Sequence, residues 1–351
     1  LWATDVDIAA SELSFTIDAS KCTGGEALPN DLVLTDNGDG TATIDGRLDV
    51  VPGTKLPCVV VSDGDGGEDA EKIELTVTKE NATVIEINPT FVLLNNPVRM
   101  LGKFVEEADG YPSSDLDTHA TAYGETNVKF ELSPVGSGSS GKSCTDGNGV
   151  TTPSGAVECT SDITDLSADV YEVTASSTSA WFNVSGFGTL AVYDPASGFA
   201  TGGGHFTWNG PPPWNGSRVN FGFTGKKLNK NFKGSVLTVI HGAAGPYVVK
   251  SNAFSGLANA HVSGEDYWYT SMTGKATYSV PDGEVNPYCS SGVLKCGNFT
   301  FILYAEDRAE PGAGKDTYKM KLVAPNNAVV FDMALQTIAG GNVQVPQPQR
   351  K

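Results

Sequence analysis

Six acidic residues near the start of the chain, Asp5, Asp7, Asp63, Asp65, Glu68 and Asp69, lie in or beside glycine-rich stretches. Carboxylates on flexible, glycine-rich backbone are the oxygen donors that calcium takes. Ca2+ is therefore the cofactor this pattern suggests. Asp36, Asn37 and Asp39 open like an EF-hand loop, but no Glu follows at the required spacing, so they read as a turn. Trp208 and Trp214 flank Pro211-Pro212-Pro213, and Tyr267-Trp268-Tyr269 is a second aromatic run. Exposed aromatic rings stack on sugars and mark binding surfaces. The competing reading is that alternate rings fill a core.

His119, His205, His241 and His261 lie far apart, with no i,i+4 pair. Their spacing does not suggest the convergence that a catalytic or zinc site needs. No G-x-S-x-G, P-loop or dinucleotide fingerprint occurs. With 41 acids, a glycosidase-like carboxylate pair can be imagined anywhere and means nothing. The expectation is a protein that is not an enzyme.

Six cysteines allow 15 pairings. One local pair per segment is the simplest: Cys22 with Cys58, Cys144 with Cys159, Cys289 with Cys296. No pair is spaced C-x-x-C and none has a neighbouring His, which argues against zinc and thiol redox chemistry. Disulfides persist in oxidising compartments, so an extracellular or cell-surface location is expected. N-x-S/T sequons at Asn81, Asn183, Asn215 and Asn298 are acceptors where the source glycosylates.

These residues need a scaffold, and composition says which. The chain has 351 residues, 41 Gly and 19 Pro, with a net charge of −18. Many short strands joined by many turns have this composition. The acidic balance argues against nucleic acid, whose affinity comes from phosphate neutralisation. No apolar run approaches the ~20 residues of a membrane helix. Charge is uneven: net −13 over 1–86, −10 over 87–194 and +5 over 195–351.

Leu13-Ser14-Phe15-Thr16-Ile17 and Lys72-Ile73-Glu74-Leu75-Thr76-Val77 alternate with period 2, the mark of half-buried strands. Asp36-Asn37-Gly38-Asp39-Gly40 and Asp63-Gly64-Asp65-Gly66-Gly67 are turn signals. Strands every 8–12 residues or so read as β-sandwiches. The predicted fold is all-β, three immunoglobulin-like or related sandwich modules in series, over 1–80, 81–195 and 196–351, with almost no helix. Residues 136–161 are Gly/Ser/Thr-rich and read as a long loop pinned by Cys144 and Cys159.

The first segment combines Ala3-Thr4-Asp5-Val6-Asp7, Leu34-Thr35-Asp36-Asn37-Gly38-Asp39-Gly40 and Val60-Val61-Ser62-Asp63-Gly64-Asp65-Gly66-Gly67. This wording resembles the cadherin-like and immunoglobulin-like repeats of large bacterial surface proteins. Such repeats open with a further strand, so the resemblance implies that the strand is cut away or comes from a partner. It also implies calcium at module ends. Asp169-Val170-Tyr171-Glu172-Val173-Thr174-Ala175 resembles the late strand of polycystic-kidney-disease-type and other immunoglobulin-like modules. Residues 197–346 are similar to a β-rich C-terminal module of secreted and cell-surface proteins.

Together these readings imply an extracellular structural or adhesive protein, a rod or filament piece. Its partners would be copies of itself or other surface proteins. The strand-like segments Gly341–Pro346 and Pro89–Leu94 are the candidate strand donors, in cis or in trans. The alternative is a carbohydrate-binding protein that uses Trp208 and Trp214 on glycans.

Overall fold

The computed structural model describes residues 1–30, 32–46, 50–106, 126–135, 140–146, 155–194, 199–228 and 231–346. It is nearly all β, with no helix of seven residues or more among them. Two compact units form, one of residues 1–80 with 180–182, the other of 81–179 with 183–351.

The first unit carries β1 (Ser14–Ile17), β2 (Leu32–Asp36), β3 (Ala42–Gly46), β4 (Gly53–Lys55), β5 (Cys58–Ser62), β6 (Glu68–Lys72) and β7 (Leu75–Val77). They pair antiparallel as β1-β5-β6, β2-β3 and β4-β7. The turn signals are hairpins. Asp63 Oδ1 accepts the Asp65 and Gly67 amides at 2.8 Å each. Gly64 and Gly66 there sit at φ 80° and 107°, where a side chain would be strained. The core is small: Phe15, Ala42 and Val59, with Ile17, Leu34 and Ile73 packed against it. A unit of this size buries little, so the Cys22–Cys58 disulfide contributes much of its stability.

The second unit begins with β8 (Glu80–Asn88), β9 (Phe91–Leu93), β10 (Leu101–Glu106), β11 (Val128–Pro134), β12 (Lys142–Thr145), β13 (Ala156–Glu158), β14 (Val170–Ser177) and β15 (Phe182–Tyr193). Seven run in the order β12-β11-β14-β15-β8-β10-β13, and β9 pairs β15 in parallel. Along β11, Val128, Phe130 and Leu132 are buried while Lys129 and Glu131 face out, as period 2 requires. The sheet curls until its ends meet. Thr160 N donates to Thr145 O at 2.9 Å, and Cys144–Cys159 joins the same edges. The long loop expected over 136–161 is thus corrected where it is described: β12 and β13 lie in it. Four- and three-residue strands between glycines are too short to show an alternation. Tyr171 OH donates to Ser167 O and accepts from Ser167 N, both at 3.1 Å. A tyrosine hydroxyl tied to backbone four residues upstream has the geometry of a tyrosine corner.

The remaining strands are β16 (Ala200–Thr207), β17 (Arg218–Leu228), β18 (Asn231–Gly242), β19 (Gly245–His261), β20 (Trp268–Ser279), β21 (Lys295–Asp307), β22 (Thr317–Val323), β23 (Val329–Asp332), β24 (Gln336–Thr337) and β25 (Gly340–Gln344). From β16 to β23 each strand pairs with the next, an antiparallel meander, and β25 returns to pair with β16. Phe221 on β17 stacks on Tyr318 on β22 at 4.2 Å, and the Thr238 and Tyr318 hydroxyls bond at 2.8 Å. Strands that far apart in the order touch only because the sheet rolls around a filled interior.

The outer face of this rolled sheet packs on β14 and β15. Val170, Leu237 and Val239 form a buried cluster there. Thr189 Oγ1 donates to Phe221 O at 2.9 Å, and Lys250 pairs with Glu172 at 2.8 Å. Gly222 is required at this contact, since a Cβ would stand 2.9 Å from Val170 Cγ1. With both faces covered, β17 and β18 carry near-continuous buried runs.

Candidate functional site: an acid-rimmed groove on the first unit

Register builds the site. Opposite residues of antiparallel neighbours share a face. Phe15 lies opposite Val61, and Ile17 opposite Val59. Val61 in turn lies opposite Asp69, and Val59 opposite Glu71. One face of this sheet is therefore apolar on β1 and β5 and acidic on β6. A groove of about 480 Å³ opens on that face. Leu13, Phe15, Val59, Val61 and Ile73 line its floor. Asp5, Asp63, Glu68, Asp69 and Glu71 line its rim. Trp2, 77% exposed, stands at one wall.

β6 ends its sheet, and among the described residues its outer edge pairs with no strand. Such an edge presents free N–H and C=O groups to another extended chain. Its charges repel a second copy of the same edge.

Of the six acids expected to act together, four line the groove: Asp5, Asp63, Glu68 and Asp69. Asp7 touches Asp5. Their carboxyl groups share a hydrogen bond that lifts Asp7 above the usual range, helped by the charges of Asp5 and Asp63. The same bond lowers Asp5. Asp65 sits at the hairpin tip, and Glu68 pairs with Lys21. Among the described residues, no group of three or more His, Cys, Asp or Glu side chains is arranged to hold a metal ion. Glu71 and the apolar floor escaped the sequence reading. The β1–β5 pairing that builds the floor joins residues 42 to 48 apart, and β6 then sets Glu71 beside Val59.

Of the two readings of the tryptophans, core filling is the one Trp208 follows, with Trp214 packed against the same core. Trp208 is 2% exposed and packs on Trp214 at 5.5 Å and Phe331 at 5.7 Å. Its ring belongs to the core of the rolled sheet and offers no stacking face, because β16 turns it inward with Phe206. Tyr269 stacks on Tyr304 at 5.0 Å, and Arg308 covers Tyr267. Asn81, Asn183, Asn215 and Asn298 are all exposed. The three cysteine pairs are Cys22–Cys58, Cys144–Cys159 and Cys289–Cys296.

His119 lies outside the described residues. The meander brings His205 and His241 to the same residue, Asn220, a convergence that their spacing hides. The two expected strand donors are already paired in this chain. β25 pairs with β16, leaving Val343 fully buried, and β9 pairs with β15.

A scan against protein-family models gives no match, and no curated protein matches the chain in sequence.

Proposed function

We propose that this is an extracellular adhesive or structural protein, not an enzyme, and that its first unit captures an extended segment of a partner protein. The observation that carries this is the groove face, apolar on β1 and β5 and acidic on the free strand β6. An added strand would complete the backbone ladder along β6. Its side chains on the groove face would meet Asp69 and Glu71, so they would be basic there. Opposite charges across a strand pair contribute ~0.2–1 kcal/mol each, and like charges subtract as much. The partner is thus a second protein bearing Lys or Arg at every second position of an extended segment. The net charge of −13 over residues 1–86 would steer it in.

Three disulfides suit an oxidising, extracellular setting. The Tyr171 corner supports an immunoglobulin-like reading of residues 81–195. In this reading the acidic turn serves as the rim of a peptide groove.

Isothermal calorimetry with an alternating Val-Lys peptide tests the proposal, and Trp2 emission gives a second readout. The Val-Lys peptide binds; its Val-Glu counterpart does not. Glu71→Lys weakens binding about tenfold, and so does raising salt from about 0.05 to 0.5 M. Equal binding of both peptides, or of neither, overturns the proposal.

A further inference from the structure

A cleft of about 400 Å³ opens in the second unit, where the rolled sheet and β15 part. Alternate residues of a strand share a face. On β15, Thr189, Phe187 and Ser185 step along the face that meets the rolled sheet. Thr189 is fully buried, Phe187 half-buried and Ser185 exposed. The two surfaces thus touch at Thr189 and diverge toward Ser185.

The rolled sheet supplies the opposite wall. Val248 on β19, Ser279 on β20 and Lys295 on β21 stand in one row, with Lys250 and Thr277 in the next. Val249 and Tyr278, between them, belong to the interior, so this wall is the outer face. The Lys250–Glu172 ion pair, 2.8 Å long, ties the two walls together. Of the lining residues, Val280 and Pro281 are buried, whereas Ser185, Ala244, Asp282 and Lys295 are exposed. The cleft therefore has a closed floor and a rim open to solvent. Its volume falls within the ~300–1,000 Å³ of small-molecule sites.

The lining chemistry narrows the ligand. Among the described residues, the Ser185 and Ser279 hydroxyls, the Asp282 carboxylate and the Lys295 ammonium have no hydrogen-bond or ion-pair partner. Lysine only donates, a carboxylate only accepts and serine does both. A ligand that suits all of them carries several groups able to donate and accept, as alcohol hydroxyls do. The charges cancel: Glu172 neutralises Lys250, and Asp282 balances Lys295. An anion or a cation would leave one charge over, so a neutral ligand fits best. Phe187 adds an apolar ring, on which no other aromatic ring packs among the described residues.

We propose that this cleft binds a neutral pyranose, a hexose unit of a glycan. A pyranose has hydroxyls around its edge and an apolar C–H face that stacks on an aromatic ring. That face lies on Phe187. The hydroxyls donate to Asp282 and accept from Lys295, and Ser185 and Ser279 take either part. Trp208 and Trp214, packed into the core, leave the stacking role to Phe187.

The test titrates the full chain with methyl β-glucoside, methyl β-galactoside and methyl α-mannoside, by calorimetry and saturation-transfer NMR. At least one binds at millimolar concentration, and its ring C–H protons receive the transfer. Raising salt from about 0.05 to 0.5 M changes its affinity less than about twofold, since no net charge is involved. Glucuronate and glucosamine, the charged counterparts, bind no more tightly than the glycoside. L-Phenylalanine, a zwitterion that opposite charges could also hold, does not displace it, and neither does the Val-Lys peptide. Phe187→Leu keeps an apolar side chain, loses the ring and lowers the affinity about tenfold. Lys295→Ala and Asp282→Ala, both at exposed positions, each lower it severalfold and melt like the parent.

Silence from all three glycosides overturns the proposal. So does tighter binding of a charged sugar, or displacement by L-phenylalanine or by the Val-Lys peptide. If Phe187→Leu does not fold, the two exposed variants decide, and unchanged affinity in both rejects the site.

Discussion

The Val343 amide donates to Asp316 Oδ2 at 2.8 Å, so a carboxylate stands where a neighbouring strand would satisfy β25. The other oxygen of Asp316 accepts the Arg308 and Ala309 amides at 2.8 and 3.2 Å. Asp316 is 0% exposed. Asp307 acts alike, accepting the Val345 amide at 2.9 Å. Two acids therefore seal the free edge of the last strand.

Asp316→Ala leaves three amides at this seam without acceptors. At ~1–3 kcal/mol for an unsatisfied buried group, the Val343 amide alone makes the loss about 1–3 kcal/mol, since the Arg308 and Ala309 amides are only part-buried. Urea unfolding of the variant against the parent measures it. A change below about 1 kcal/mol would mean that the seam is not sealed this way.

Asp307 gives the seam a pH dependence. Burial, with the charges of Asp316 and Glu310 adding, pushes its carboxyl up to about 6. The unfolded chain titrates near 3.8, so between about pH 7 and 4 the folded protein binds the extra proton. Stability contributed by this group is present at low pH and is lost as pH rises through about 6. Asp307→Asn flattens the slope of Tm against pH across that window, which thermal scans at matched ionic strength read directly.

Tyr171 is fully buried, and its hydroxyl is tied to both backbone groups of Ser167. Tyr171→Phe keeps the ring and loses the corner. The expected cost is about 1–2 kcal/mol in chemical denaturation. Hydrogen exchange should quicken at the Ser167 amide and leave the β20 and β21 amides unchanged.

The Lys21–Glu68 pair separates binding from stability. Both side chains are close to half exposed, so the pair contributes less than about 1 kcal/mol to folding. Glu68→Gln therefore melts like the parent but binds the Val-Lys peptide more weakly. A large fall in Tm would recast Glu68 as a structural residue.

Much of the architecture was legible in the residues themselves. Alternation at Phe15–Ile17 and along Val128–Leu132, and glycine at Gly64 and Gly66, are local signals that report local backbone. They gave an all-β chain with hairpins at the right turns. The cysteines paired locally, since each pair falls within one stretch of short strands.

What the alternation could not say is which strands become neighbours. A period of 2 marks two faces and names no partner for either. That Trp208 faces inward follows from the rolling of the sheet that brings Phe331 against it. That Asp69 and Glu71 border an apolar floor follows from register between β1, β5 and β6. That His205, Arg218, Asn220 and His241 form one patch follows from three strands of a meander. Residue types and spacing determined the strands and turns of this protein. Its candidate site exists only once long-range pairing, decided by the burial of whole faces, sets distant residues side by side.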